Sequence, residues 1–247
     1  MKHNILILCI VLALVAIVGH LWVTTDGGRL PCQLCRPSFR NSMALPDLVA
    51  KTLPAVVELR PGFANWLGAG VLISNDGWIM TAGHVVEDQE VMIATMIDGV
   101  KYMSVLIITD PNDDIAILKI DIKDAPYVRM SKVYPRLGQS VYIIGHPLGV
   151  FNSVSAGIMS NIHIDEAPFG VDLIMTDAEV TGGNSGGGVF DTSGCLIGIV
   201  VAETVYFTGI EANLAVPVSK GRELLNGYLR TQEAETTCDC VDVSFVR

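Results

Sequence analysis

Between Ala55 and Val216 the chain is written in short runs of β-branched and aliphatic residues separated by turn signals, and this spacing restricts the fold more than any other feature. Ala55-Val-Val-Glu-Leu59, Ala69-Gly-Val-Leu-Ile73, Gly77-Trp-Ile-Met-Thr81, Val91 to Ile97, Met103 to Ile108 and Ile115 to Ile120 make a first set, with Asn75-Asp-Gly77, Asp98-Gly99 and Asp110-Pro-Asn-Asp113 as turns. Ser140 to Ile144, Ser153 to Ile158, Asp172 to Met175, Gly188 to Phe190, Cys195 to Val201 and Asn213 to Val216 make a second. Runs of this length and composition predict strands, and no helical period separates them, so a pair of antiparallel β-barrels is expected rather than βαβ units. Barrel one covers about 51–125 and barrel two about 135–217. A helix is expected only over Val218 to Leu229, where Leu224, Leu225 and Tyr228 share a face.

Outside this body the composition changes. After Met1-Lys-His-Asn4 an apolar run extends from Ile5 to Gly19 and resumes at Leu21-Trp-Val23, close to the roughly 20 residues that cross a bilayer as a helix. Residues 1–23 are read as an uncleaved transmembrane anchor, since no A-x-A cleavage site of a signal peptide follows. Its orientation is open, because Lys2 competes with Arg29, Arg36 and Arg40. Residues 24–50, with Gly27-Gly28, Pro31, Pro37 and Pro46, read as a stalk, and 231–247 as a Cys-containing tail. The 247 residues, half of them hydrophobic, can furnish a sizeable core, and a net charge of −10 argues against nucleic-acid partners.

The chemistry concentrates in Thr181-Gly-Gly-Asn-Ser-Gly-Gly-Gly188. Glycines on both sides let the backbone take positive φ and let a carbonyl approach its N–H groups, so Ser185 reads as a nucleophile, with Gly183 and Ser185, joined by Asn184, as an oxyanion hole. A plain glycine turn between strands fits the same residues. What separates the two readings is a base and a carboxylate upstream. His84 ends the apolar strand of Trp78-Ile-Met-Thr-Ala-Gly-His84, whereas His3 and His20 lie in the membrane segment, His163 in a polar stretch and His146 in a Gly-Pro-Gly turn suited to a structural role. Asp114 touches the strand that begins at Ile115, while Asp113 belongs to the preceding turn as a solvated turn former. The order His84, Asp114, Ser185 is that of chymotrypsin-type triads.

Thr81-Ala-Gly-His-Val-Val86, Asp114-Ile-Ala-Ile-Leu-Lys119, Gly145-His-Pro-Leu-Gly149, Thr176-Asp-Ala178 and Gly183-Asn-Ser-Gly-Gly187 together resemble the HtrA branch of trypsin-like serine proteases, over about Pro54 to Leu229. The resemblance implies an all-β, chymotrypsin-like fold of two six-stranded antiparallel barrels with a C-terminal helix, a protease domain over 51–230, and peptide-bond hydrolysis of protein substrates through an acyl-enzyme. It implies no metal or organic cofactor, allows a homo-oligomer, and puts the body outside the cytoplasm. Glu179, Val180 and Thr181 would then border the primary specificity pocket, and Val200, Val201 and Ala202 the substrate strand.

The chain also departs from that branch. After the helix only Arg230 to Arg247 remain, so no C-terminal PDZ domain is expected. Glu179 stands where the family has a small residue: turned inward it would select Lys or Arg, turned outward it would leave an apolar pocket formed by Val200, Val201 and Ala202. Gly182 stands where Pro or Arg is frequent and adds backbone freedom. Cys32 and Cys35 follow the membrane segment and Cys238 and Cys240 lie near the other end, a set that fits two disulfides, a four-thiolate zinc site or free thiols. An inactive peptide-binding module and a membrane-tethered thiol protein are the rival functions.

Overall fold

The computed structural model describes residues 43–62, 67–146, 153–164, 173–205 and 211–238. The anchor read over 1–23 and Cys32, Cys35 and Cys240 lie outside the described residues. Among the described residues no helix is long and apolar enough to cross a membrane.

The two sets of strands close into two antiparallel six-stranded barrels. In barrel one, β1 (Val56–Pro61), β2 (Gly68–Leu72), β3 (Trp78–Ala82), β4 (Val91–Thr95), β5 (Lys101–Asp110) and β6 (Ile115–Ile120) run in the order β1-β2-β3-β6-β5-β4 around the barrel. In barrel two, β7 (Ser140–Gly145), β8 (Ser153–Ile164), β9 (Leu173–Thr176), β10 (Gly188–Asp191), β11 (Leu196–Val205) and β12 (Glu211–Pro217) run β10-β11-β12-β9-β8-β7. Strands covered on both faces read as continuous apolar runs. In β6 every residue but Lys119 is buried, because one face lines the barrel and the other lies beneath later elements. By contrast β5 alternates, and its Met103 and Val105 meet solvent.

Two helices differ from the expectation. The first, α1 (Leu45–Thr52), occupies the end of the segment read as stalk. Pro46, which signals a break inside an element, sits here in the first turn, where its missing N–H is no loss. Leu48 and Thr52, one turn apart, are buried, and Thr52 Oγ1 lies 3.1 Å from Tyr142 OH on barrel two. The second, α2 (Val218–Cys238), continues nine residues beyond the predicted end at Leu229, through the first half of the tail. Thr231, Gln232 and Glu233 are all exposed, and the sequence from Arg230 to Cys238 carries no large apolar residue, so a search for helical hydrophobic period passes over it. Its first turns do pack: Leu225 is buried and Tyr228 meets Trp78 edge to face, with ring centroids 6.1 Å apart.

One core cluster fills barrel one and continues into the junction through Tyr142, Ile144, Phe190 and Ile199, and a second, with Val141, Ile143, Met159, Val189 and Val200, fills barrel two. Tyr142 and Phe190 stack at 5.3 Å in that junction. The loops that carry the chemistry therefore emerge from rigid walls on either side.

Candidate active site

Pairing of β3 with β6 places Ala82 opposite Ile115, so the residues just beyond those two ends must meet. His84 lies in the short 3-10 turn Gly83–Val86 that follows β3, and Asp114 precedes β6. Both carboxylate oxygens of Asp114 are engaged: Oδ2 is 2.8 Å from His84 Nδ1, and Oδ1 accepts the His84 backbone N–H at 2.8 Å. The Gly83 N–H donates to the Asp114 carbonyl at 3.0 Å. An imidazole whose Nδ1–H is held by a carboxylate presents a lone pair at Nε2, the tautomer a general base needs. Asp114 reaches this position with φ at +48°, a left-handed conformation that costs a non-glycine residue energy and persists only where neighbours enforce it.

The preceding residue, Asp113, is the one read from sequence as a solvated turn former. Its Oδ1 accepts from Lys220 Nζ of α2 at 3.1 Å, and its side chain is only 22% exposed. No local signal marks this pair, since 107 residues separate its members.

Ser185 sits between two successive turns. The Asn184 N–H donates to the Thr181 carbonyl at 3.0 Å around Gly183 with φ at +97°, and the Gly187 N–H donates to the Asn184 carbonyl at 2.8 Å around Gly186 with φ at +82°. Turns of this kind need a residue at positive φ in the third position, which glycine adopts without strain. The loop is pinned to barrel one where the Ala69 N–H donates to the Ser185 carbonyl at 2.8 Å. A Cβ on Gly186 would run into the Ala69 carbonyl and Thr81 Oγ1. A Cβ on Gly68 would lie 2.6 Å from Val85 Cγ1 and 3.2 Å from the Ser185 carbonyl, so the His84 segment and the Ser185 segment flank one point on β2. Thr81 and Gly68 carry this approach, yet in the sequence they are only a motif residue and a strand glycine.

Among the described residues neither the Gly183 nor the Ser185 N–H has an acceptor, and no hydrogen bond joins Ser185 Oγ to His84. Asn184 is 5% exposed, with its Oδ1 packed against Gly145 and without a hydrogen-bond partner.

The remaining predicted residues divide. Glu179 is exposed, its carbonyl accepts from Ser155 Oγ at 2.7 Å, and it borders a cavity of about 130 Å³ with Ser153, Thr181 and Asn184 on the β7–β8 flank. Val201 is buried in the inter-barrel cluster on the other flank, and the side chain of Ala202 lies outside the described residues. Among the described residues, the lining of the cavity that Glu179 borders includes neither Val200 nor Val201. Val180 and Val200 are buried inside barrel two. Val200 also uses both backbone groups on Gly186 and Gly187, at 2.7 and 2.9 Å, so it serves the loop carrying Ser185 rather than offering free groups to a substrate strand. A second cavity of about 510 Å³ opens beside His84 and Asp114 under Glu87, Asp88, Glu90, Leu106 and Pro111. His146 is buried at the barrel junction, as its structural reading implies. Burial pushes its pKa down, against the opposing pull of Glu58 and a hydrogen bond with the Val57 backbone.

Comparison with known proteins supplies what geometry alone does not. The family model of the trypsin-like peptidase domain matches residues 68–199, more than half of the chain. A probable periplasmic serine endoprotease, DegP-like, from Pseudomonas fluorescens is 35% identical over 172 residues, covering 66% of this chain and 35% of that protein. One from Brucella suis is 34% identical over 189 residues, covering 71% and 36%. The chain thus spans about a third of the length of the curated relatives it matches. Among solved structures, the serine endoprotease from Yersinia pestis superposes with a TM-score of 0.67 at 30% identity, over 76% of this chain and 67% of that one. The HtrA-type protease AlgW with tripeptide gives 0.68 at 31% identity, over 74% and 63%.

Proposed function

Because the chain belongs to the family of trypsin-like peptidase domains, with HtrA-type proteases among its relatives, we propose that it is a serine endopeptidase acting on protein substrates. In this reading Ser185 Oγ attacks the scissile carbonyl while His84 Nε2 takes its proton. The C–N bond then breaks as His84 returns that proton to the leaving amine, and an ester on Ser185 remains. Water attacks the ester with His84 again as base, releasing the carboxylate product and free Ser185. Asp114 holds the imidazole orientation and stabilises the imidazolium. The N–H groups of Gly183 and Ser185, which have no acceptor among the described residues, are available to the oxyanion; a donor of this kind is worth about 2.7–4 kcal/mol.

The observation that carries the proposal is the two-point bond from Asp114 to His84, set across Gly68 from the Ser185 loop. A fluorophosphonate probe should label the wild type and not Ser185→Ala, and the wild type should cleave a denatured protein. Absence of both in the wild type would leave only a peptide-binding module on this fold.

Two finer points belong to the same proposal. The exposed position of Glu179, away from Val201, supports the outward alternative and cleavage after small aliphatic residues. A peptide-library profile dominated by Lys or Arg before the cut would overturn it. Residues 1–23 would anchor the protein with its barrels outside the cytoplasm, a reading supported by the apolar run and by relatives named as periplasmic. Alkaline extraction that frees the full chain from membranes would count against the anchor.

A further inference from the structure

A groove of about 700 Å³ lies on barrel two between the segment 129–139, which joins the barrels, and the turn from Asp191 to Cys195. It sits at the far end of β10 from Ser185 and has no part in the chemistry above. Arg129, Lys132 and Arg136 line it, and none of the three has an ion-pair partner among the described residues. The carboxylate in the lining, Asp191, is already engaged: its Oδ1 accepts the N–H groups of Ser193 and Cys195 at 2.8 and 3.0 Å. Positive charge gathers here in a chain with 16 basic and 26 acidic residues, so the local sign opposes that of the whole.

The floor is rigid. Met130 bridges Leu196 in parallel, the Ser131 N–H donates to the Leu196 carbonyl at 2.8 Å, and the Leu196 N–H donates to the Arg129 carbonyl at 2.9 Å. Arg222 of α2 holds the Ser131 carbonyl at 2.6 Å. Cations mounted on a fixed backbone lose little freedom on binding an anion. The rim is also apolar, with Val133 73% exposed.

We infer that this groove docks an acidic, extended peptide segment of a partner protein, with carboxylates on Arg129, Lys132 and Arg136 and an aliphatic side chain on Val133. Charge complementarity selects the sign of the partner. The mixed lining selects a peptide over other polyanions: a nucleic acid would leave Val133 uncovered and carry its remaining phosphates over a surface of net charge −10, and a lipid surface is too flat to enter a groove.

The test uses the full chain with Ser185→Ala, so that no peptide is cut, and a fluorescein-labelled peptide of alternating Asp, Glu and Leu followed by fluorescence anisotropy. Binding should weaken with added salt, and it should weaken roughly tenfold or more in Arg129→Gln/Lys132→Gln/Arg136→Gln, while Lys101→Gln on the opposite barrel leaves it unchanged. The same triple change in the Ser185 protein should leave fluorophosphonate labelling intact, which reports folding. The inference falls if the folded triple variant binds the peptide as well as its parent, or if a Gln/Leu peptide binds equally. It falls equally if an oligonucleotide or anionic vesicles bind more tightly than the peptide and lose that binding in the triple variant.

Discussion

His84 and Asp114 are fixed by directional bonds between side chain, backbone and carboxylate, and a further ion pair to α2 steadies the turn beneath them. Ser185, on the other barrel, is held through backbone groups instead: the Ala69 N–H on its carbonyl, the two bonds of Val200 to Gly186 and Gly187, two glycine turns, and the close fit of Gly186 against Ala69 and Thr81. The base side is built by adding contacts, the nucleophile side by removing side chains. The first should fail when a polar group is lost, the second when a carbon is gained.

The largest effects test whether both halves belong to one machine. Asp114→Asn should lower kcat about 10⁴-fold with the fold intact, and Ser185→Ala at least as much. Measured against a peptide substrate, a loss of less than tenfold in either would separate the halves. Next comes the backbone. Gly186→Ala adds a Cβ at φ +82° where barrel one leaves no room, and should cost about 3 kcal/mol or more in denaturant unfolding. Gly182→Ala, with nothing within 4 Å of its Cβ, should cost less than about 1 kcal/mol, and an equal loss at both would refute the fit to barrel one.

Acid should probe the junction between the halves. His146 is held with its pKa below the ordinary value near 6.5, so below that pH the unfolded chain binds a proton that the folded chain refuses. Stability should therefore fall as pH drops below about 6.5, by up to roughly 1.4 kcal/mol per pH unit, until the lowered folded value is passed. In His146→Gln the denaturation midpoint should depend less on pH between 7 and 5; an unchanged slope would assign that dependence to other groups. The smallest effect is expected at Lys220→Met. Partly exposed pairs are worth about 1 kcal/mol or less, so stability should hardly move, while kcat falls a few-fold as the turn before Asp114 loosens.

The pattern of short apolar runs was enough to place the twelve strands, although β8 runs six residues past its expected end at Ile158, because burial on one or both faces of a strand is written locally. His84 and Asp114 were legible for the same reason: each stands at the end of a run that must pair. The last turns of α2 escaped because no large apolar residue marks them in the sequence, and α1 escaped because Pro46 signals a break and a helix start alike.

What the chain determined by itself was the two barrels, the meeting of His84 with Asp114 at the ends of paired strands, and the glycines around Ser185. Only the folded chain decided that Asp113 is tied to Lys220, that Val200 spends its backbone groups on the Ser185 loop and not on a substrate strand, and that Glu179 lies on the β7–β8 flank. It likewise decided that Arg129, Lys132 and Arg136 line one groove, none with an ion-pair partner among the described residues. Local pattern records whether a residue is buried or exposed, whereas a partner's identity depends on which distant strand or helix closes over it, and that is fixed only when the barrels pack.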